Sequence, residues 1–159
     1  LSYPQSALFA PLGMTSAVFE TDQSGTFVGS SYLYATARDW TRFGEFLRLD
    51  GDWNGKQILP ADFARLMRTP APISDSGYGP EYGRGQLWLR GPEAGTPAGQ
   101  DPDAGFDLPE ATFWLLGHDG QSTAVIPSEG LVVVRMGLTP SKLGYKPQAL
   151  IKAVMEAAR

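Results

Sequence analysis

The stretch FWLLGHDGQSTAVIPSEGLVVVRMG, Phe113 to Gly137, carries the strongest structural signal in this chain. Thr112 to Leu116, Thr123 to Ile126 and Leu131 to Met136 are short runs rich in β-branched, aromatic and aliphatic residues, the composition of strands. Pro127, Ser128, Glu129 and Gly130 join the second run to the third, and connections that short imply antiparallel pairing. Between the first and second runs stand His118, Asp119 and Gly120, with Gly117 before them. A Gly-flanked polar triplet therefore opens an antiparallel strand pair.

Upstream of this core the pattern turns helical. Thr36 can cap a helix with Asp39 three residues on, and Trp40, Phe43, Phe46 and Leu47 recur at helical spacing, which predicts a helix over about 36 to 49. Asp50 to Gly55 is a turn, and Pro60 suits the start of a short helix whose apolar residues are Phe63, Leu66 and Met67. Pro70 and Pro72 end it, and GRGQLWLRG then predicts a strand around Gln86 to Leu89. Residues 91 to 110 carry five carboxylates, no Lys or Arg, and several Pro and Gly, the composition of a solvated loop. Downstream, Pro147 starts an amphipathic helix with Leu150, Ile151, Val154, Met155 and Ala158 on one side. Helices, then strands, then a helix give an α+β class: an antiparallel sheet with packed helices, in a single domain over 1–159.

Composition narrows the function. The chain has 159 residues, 42% of them hydrophobic, which is enough to bury a sizeable core. A formal charge of −4 and the lack of a Lys or Arg block argue against nucleic acid as a partner. No apolar run approaches membrane-spanning length. With no cysteine there is no disulfide, thiolate metal site or Cys nucleophile, and either redox compartment is tolerated, periplasmic or cytoplasmic. Asp101, Asp103 and Asp107 superficially suggest calcium, but Pro102 and the absence of a correctly spaced Glu spoil that pattern, so no metal and no cofactor is expected. The first residues, LSYPQSALFAPLGM, form no intact signal peptide, and the chain reads as a piece of something longer.

His118 is the only histidine; taken without context a lone His beside glycines is more often an ordinary loop or strand residue than an acid–base group. A Ser-His-Asp triad with Asp119 is disfavoured, because adjacent strand residues point to opposite faces, and no Gly-x-Ser-x-Gly elbow is present. Arg38 and Asp39 read as surface or capping groups, and Arg135 as a partner for a buried carboxylate near the sheet.

Three stretches in order, LFAPLGM at 8–14 with GSSYLYATARDWTRFGEFL from Gly29, NGKQILP at 54–60, and GHDGQ at 117–121 with VIPSEGLVVVR after it, resemble the serine β-lactamase and penicillin-binding-protein superfamily. The likeness is to its class C-like branch, which includes enzymes similar to 6-aminohexanoate-dimer hydrolase, and it maps to the C-terminal half of that catalytic domain. It implies a partial β-lactamase or DD-peptidase-like fold and an acyl-enzyme hydrolase of amide or ester bonds. The family's nucleophile lies in a Ser-x-x-Lys motif. No Ser here has a Lys three residues later, and no Tyr-x-Asn motif is present.

By position, His118 stands where relatives often carry Lys, and the backbone N–H of Gln121 would be the strand's oxyanion donor. Gly120 would let substrate approach the backbone, and Ser30, Ser31, Tyr32 and Tyr34 either match the family's pocket wall or form a strand or turn with aromatic packing. Asp119 replaces the commoner Thr or Ser, which on charge grounds favours a small amide, ester or cationic substrate over an anionic β-lactam. The expected partners are that substrate and either a missing N-terminal half or a second copy covering exposed apolar surface. The alternative is a non-catalytic binding module.

Overall fold

The computed structural model describes residues 2–29, 31–72 and 81–159. Its centre is a three-stranded antiparallel sheet of β1 (Phe113–Leu116), β2 (Ser122–Ile126) and β3 (Leu131–Arg135), in that order. The register pairs Phe113 with Val125 and Leu116 with Ser122 across β1 and β2, then Ser122 with Arg135 and Ile126 with Leu131 across β2 and β3. The two connections are 3-10 turns, His118–Gly120 and Pro127–Glu129. Every residue of β2 is buried, because helices cover both of its faces.

One face meets helix α1 (Ala37–Arg48). Phe46 and Leu47 enter a core with Phe113, Val125, Leu87 and the N-terminal residues Phe9, Leu12 and Met14. Gly44 allows the close approach: a Cβ there would lie 2.6 Å from Val132 Cγ1 and 3.1 Å from Thr123 Cγ2. On the other face, Trp114, Ala124 and Ile126 pack with Ile151 and Met155 of the last helix, Pro147–Ala157. Ala158, grouped by spacing with that apolar side, caps the helix and is exposed.

The predicted α+β architecture is what the chain forms, with differences in detail. Helix α2 (Ala61–Met67) buries Ala64, whereas the predicted apolar contacts Phe63 and Leu66 are 47% and 41% exposed. Met67, the third predicted contact, is half-buried against the core and with Ala64 seats this seven-residue helix. Around Gln86 to Leu89 there is no strand: Trp88 makes single bridges to Tyr82 and Trp114, and Gln86 has φ +63°, which breaks an extended run. The turn expected at Asp50 to Gly55 belongs to a hairpin, Asp52–Trp53 against Lys56–Gln57. Its Asn54 and Gly55 both have positive φ, the conformation an Asn-Gly pair supplies most easily.

The acidic loop 91–110 is anchored, in contrast to the solvated excursion its composition suggests. Gln148, fully buried on the last helix (α3, Pro147–Ala157), donates through Nε2 to the carbonyls of Pro92 (3.1 Å) and Pro102 (3.2 Å) and to Asp103 Oδ1 (3.2 Å). Asp103 in turn accepts from the Gly91 N–H at 3.0 Å. One buried amide thus ties the start and the middle of the loop to the core, an arrangement that pattern reading misses because Gln148 lies outside the loop itself. Asp39 is also no surface group. It is 2% exposed and accepts from Ser16 N (2.8 Å) and Ser16 Oγ (2.5 Å) while pairing with Arg42, so it ties the N-terminal segment to α1. Arg38 is exposed.

Candidate active site

The His118–Gly120 turn joins β1 to β2 and sits at the edge of an open cleft of about 1240 Å³. Leu116, Gly117, Asp119, Gly120 and Gln121 line that cleft, facing Trp88, Leu89 and Arg90. The sequence expectation put the triplet beside strand residues of alternating direction. Instead Asp119 adopts a left-handed conformation, φ 50° and ψ 47°, and its neighbours do not alternate as in a strand. The His118 and Asp119 side chains consequently lie on the same side, with His118 Nε2 3.4 Å from Asp119 Oδ2. That overturns the geometric ground given against their pairing. His118 is 87% exposed and does not itself line the cleft.

The turn's backbone is tied down by Arg135 and Thr139, the latter also lining the cleft. Thr139 N–H donates to the Asp119 carbonyl at 2.6 Å, and Arg135 Nη1 donates to the Gly120 carbonyl at 3.0 Å. Gly120 has φ +77°, and a Cβ there would come within 2.9 Å of the Thr139 carbonyl. Glycine is thus required where the turn packs on residues 137–139. Gln121 N–H donates back to the His118 carbonyl at 3.3 Å, a long bond, and Gln121 Nε2 reaches the same oxygen at 3.2 Å.

Two other expectations take a different form. Ser31 and Tyr32 do not line this cleft; Tyr32 is 54% exposed with φ +65°, next to the short ladder that pairs Val18–Phe19 with Leu33–Tyr34. Ser30 lies outside the described residues. Arg135 has no carboxylate partner among the described residues. It bonds the carbonyls of Gly120 and Gly137 and the hydroxyl of Thr139, and stacks on Tyr145 at 4.3 Å. Thr139 and Tyr145, which sequence reasoning missed, gave no signal because both fall in an irregular segment without periodicity.

The cleft is electronegative. Glu81, Glu93, Asp101, Glu110 and Asp119 line it against two guanidiniums, Arg68 and Arg90. Arg68 is already paired with Asp50 and lies over the Phe113 ring at 5.5 Å, while Arg90 Nε stands 3.9 Å from Asp101. Behind the acidic loop, burial pushes the Asp103 carboxyl up, only partly offset by hydrogen bonds from Gln148 and the Gly91 N–H. Among the described residues no group of three or more His, Asp or Glu side chains could hold a metal ion.

A solved structure of a protein from Bacillus anthracis, assigned by name as a 6-aminohexanoate-dimer hydrolase, superposes on 97% of this chain with a TM-score of 0.62 and 25% identity. A β-lactamase from Mycobacterium bovis superposes on 98% with a TM-score of 0.66 and 20% identity. The chain is part of a β-lactamase-like fold. A protein from Bacteroides dorei, assigned by name as a β-lactamase, shares this β-lactamase-like arrangement over 94% of the chain, with a TM-score of 0.58 and 20% identity. The chain spans 36%, 55% and 49% of those three structures, in the order given. An uncharacterized protein of Alkalihalophilus pseudofirmus is 28% identical over 106 residues, 65% of this chain and 29% of its own length. No protein-family model matches the chain.

Proposed function

We propose that this chain forms one wall of the active site of a serine hydrolase that cleaves amide or ester bonds through an acyl-enzyme. The nucleophilic Ser, in a Ser-x-x-Lys motif, would come from outside these residues. The observation that carries this reading is the position of the His118–Gln121 turn on a large cleft, within a fold shared with hydrolases. In acyl transfer the carbonyl oxygen gains negative charge, and a backbone N–H aimed at it stabilises the transition state without reorganisation. Gln121 N–H is the assigned donor. Its present acceptor, the His118 carbonyl, is held at 3.3 Å, so a substrate oxyanion competes with a weak bond. His118, open to solvent with its Nε2 3.4 Å from Asp119 Oδ2, would bond the nucleophile's cluster.

The test uses the intact gene product and an activated ester such as a nitrophenyl acetate. The expected result is a burst of nitrophenol followed by slower turnover, the signature of an accumulating acyl-enzyme. Gln121→Pro removes the N–H at a residue whose φ of −65° already suits proline. Loss of one oxyanion donor reduces kcat by about 100-fold or more. An undiminished burst in this variant removes Gln121 from the mechanism, and no burst in the parent removes the acyl-enzyme.

A further inference from the structure

We propose that Arg135 is a positioning residue that fixes the His118–Gln121 turn, with Thr139 as its second anchor; the catalytic consequence rests on the function proposed above. The strand register puts Arg135 directly across from Ser122, the residue that follows Gln121. From there one guanidinium nitrogen bridges two carbonyls, Gly120 at 3.0 Å and Gly137 at 2.8 Å, while the other reaches Thr139 Oγ1 at 2.5 Å. Thr139 then donates its own N–H to the Asp119 carbonyl at 2.6 Å. Two consecutive carbonyls of the turn, Asp119 and Gly120, are thereby pulled toward residues 137–139. The peptide planes that hold them also carry the N–H groups of Gly120 and Gln121, so the direction of those N–H groups is set by the same bonds.

The chemistry fits arginine and no other residue. Its planar fork presents donors in fixed directions that can serve three acceptors at once, and its face stacks on Tyr145 at 4.3 Å. A lysine keeps the charge but offers a single nitrogen. A role limited to fold stability predicts a different pattern from a role in positioning, since the first loosens the whole sheet and the second only the turn.

Arg135→Lys in the intact gene product separates them by hydrogen exchange read on peptides. Exchange is expected to rise about tenfold or more in 117–121 and 137–141, with 123–126 and 131–134 unchanged. Thr139→Val, which removes the hydroxyl but keeps the N–H, should act in the same direction and less. On the activated ester, kcat in Arg135→Lys should fall about 10- to 100-fold with KM within about twofold, because a small displacement of a donor weakens the transition state more than the bound substrate. Equal acceleration across the sheet, or none in the turn, overturns the positioning role, as does local loosening with unchanged kcat. If the wild-type protein turns over no ester or amide, the proposed hydrolase function falls on that result alone, and the exchange pattern still decides whether Arg135 sets the turn.

Discussion

Two buried or half-buried carboxylates respond to pH in opposite directions. Burial raises the Asp39 carboxyl, but the Ser16 hydroxyl and N–H and the Arg42 guanidinium more than reverse this, leaving it below the ordinary carboxylate range. With a folded pKa below the unfolded one, Asp39 contributes stability above pH about 4 that is lost as pH falls through the folded value. Asp103 has its folded pKa raised, so the folded state binds its proton more tightly and the residue opposes folding as pH rises through that value. Asp103→Asn keeps an oxygen for Gly91 N–H and Gln148 Nε2 while removing the charge. It should raise stability at pH 7, seen as a higher Tm, and the gain should shrink as pH falls and the Asp103 carboxyl is protonated in both states. Asp39→Asn should instead lower Tm at pH 7 and flatten the acid limb of the Tm–pH curve. An Asp103→Asn protein less stable than wild type at pH 7 would show that the carboxylate's hydrogen bonds outweigh its desolvation.

At the scale of elements, contact between α1 and the sheet depends on the absence of one methyl group. In an exposed helix Gly→Ala gains about 1 kcal/mol from helix propensity. At Gly44 the added Cβ would stand 2.6 Å from Val132 Cγ1, on a stiff β-branched side chain of β3, so the helix or strand must shift. Overpacking of that kind costs about 1–3 kcal/mol, and Gly44→Ala should therefore be destabilised on balance, measurable by urea titration with an unchanged m-value. The anchoring of the acidic loop gives a second expectation. Gln148→Ala strips donors from the Pro92 and Pro102 carbonyls and from Asp103, and limited proteolysis should then cut within 91–110 well before α1 or β2. The elements with period, α1, the last helix and the three strands, were legible from sequence because burial on a defined face dictates their residues. The Trp88 bridges, the Gln148 anchor and the 137–139 strap were not, since each depends on a single long-range contact that leaves no local pattern.

For the molecule as a whole, the decisive quantity is the apolar surface these residues leave to solvent. Tyr3, Val18, Tyr34, Phe63, Leu138 and Leu143 are all large apolar or aromatic side chains between 47% and 78% exposed. They are distributed over the N-terminal segment, α2 and the segment after β3, and the structures sharing this fold are roughly two to three times longer. Isolated exposed apolar residues are ordinary, but a contiguous area beyond a few hundred Å² drives association. If a further part of the same fold normally covers these side chains, the 159 residues alone should self-associate in sedimentation at micromolar concentration, and Phe63→Lys with Leu138→Lys should reduce that association without lowering Tm. Adding the complementary segment in trans should also dissolve it and yield a defined one-to-one complex. A monodisperse monomer with no affinity for that segment would mean that the surface is complete as it stands, and would favour a binding module over one wall of a divided active site.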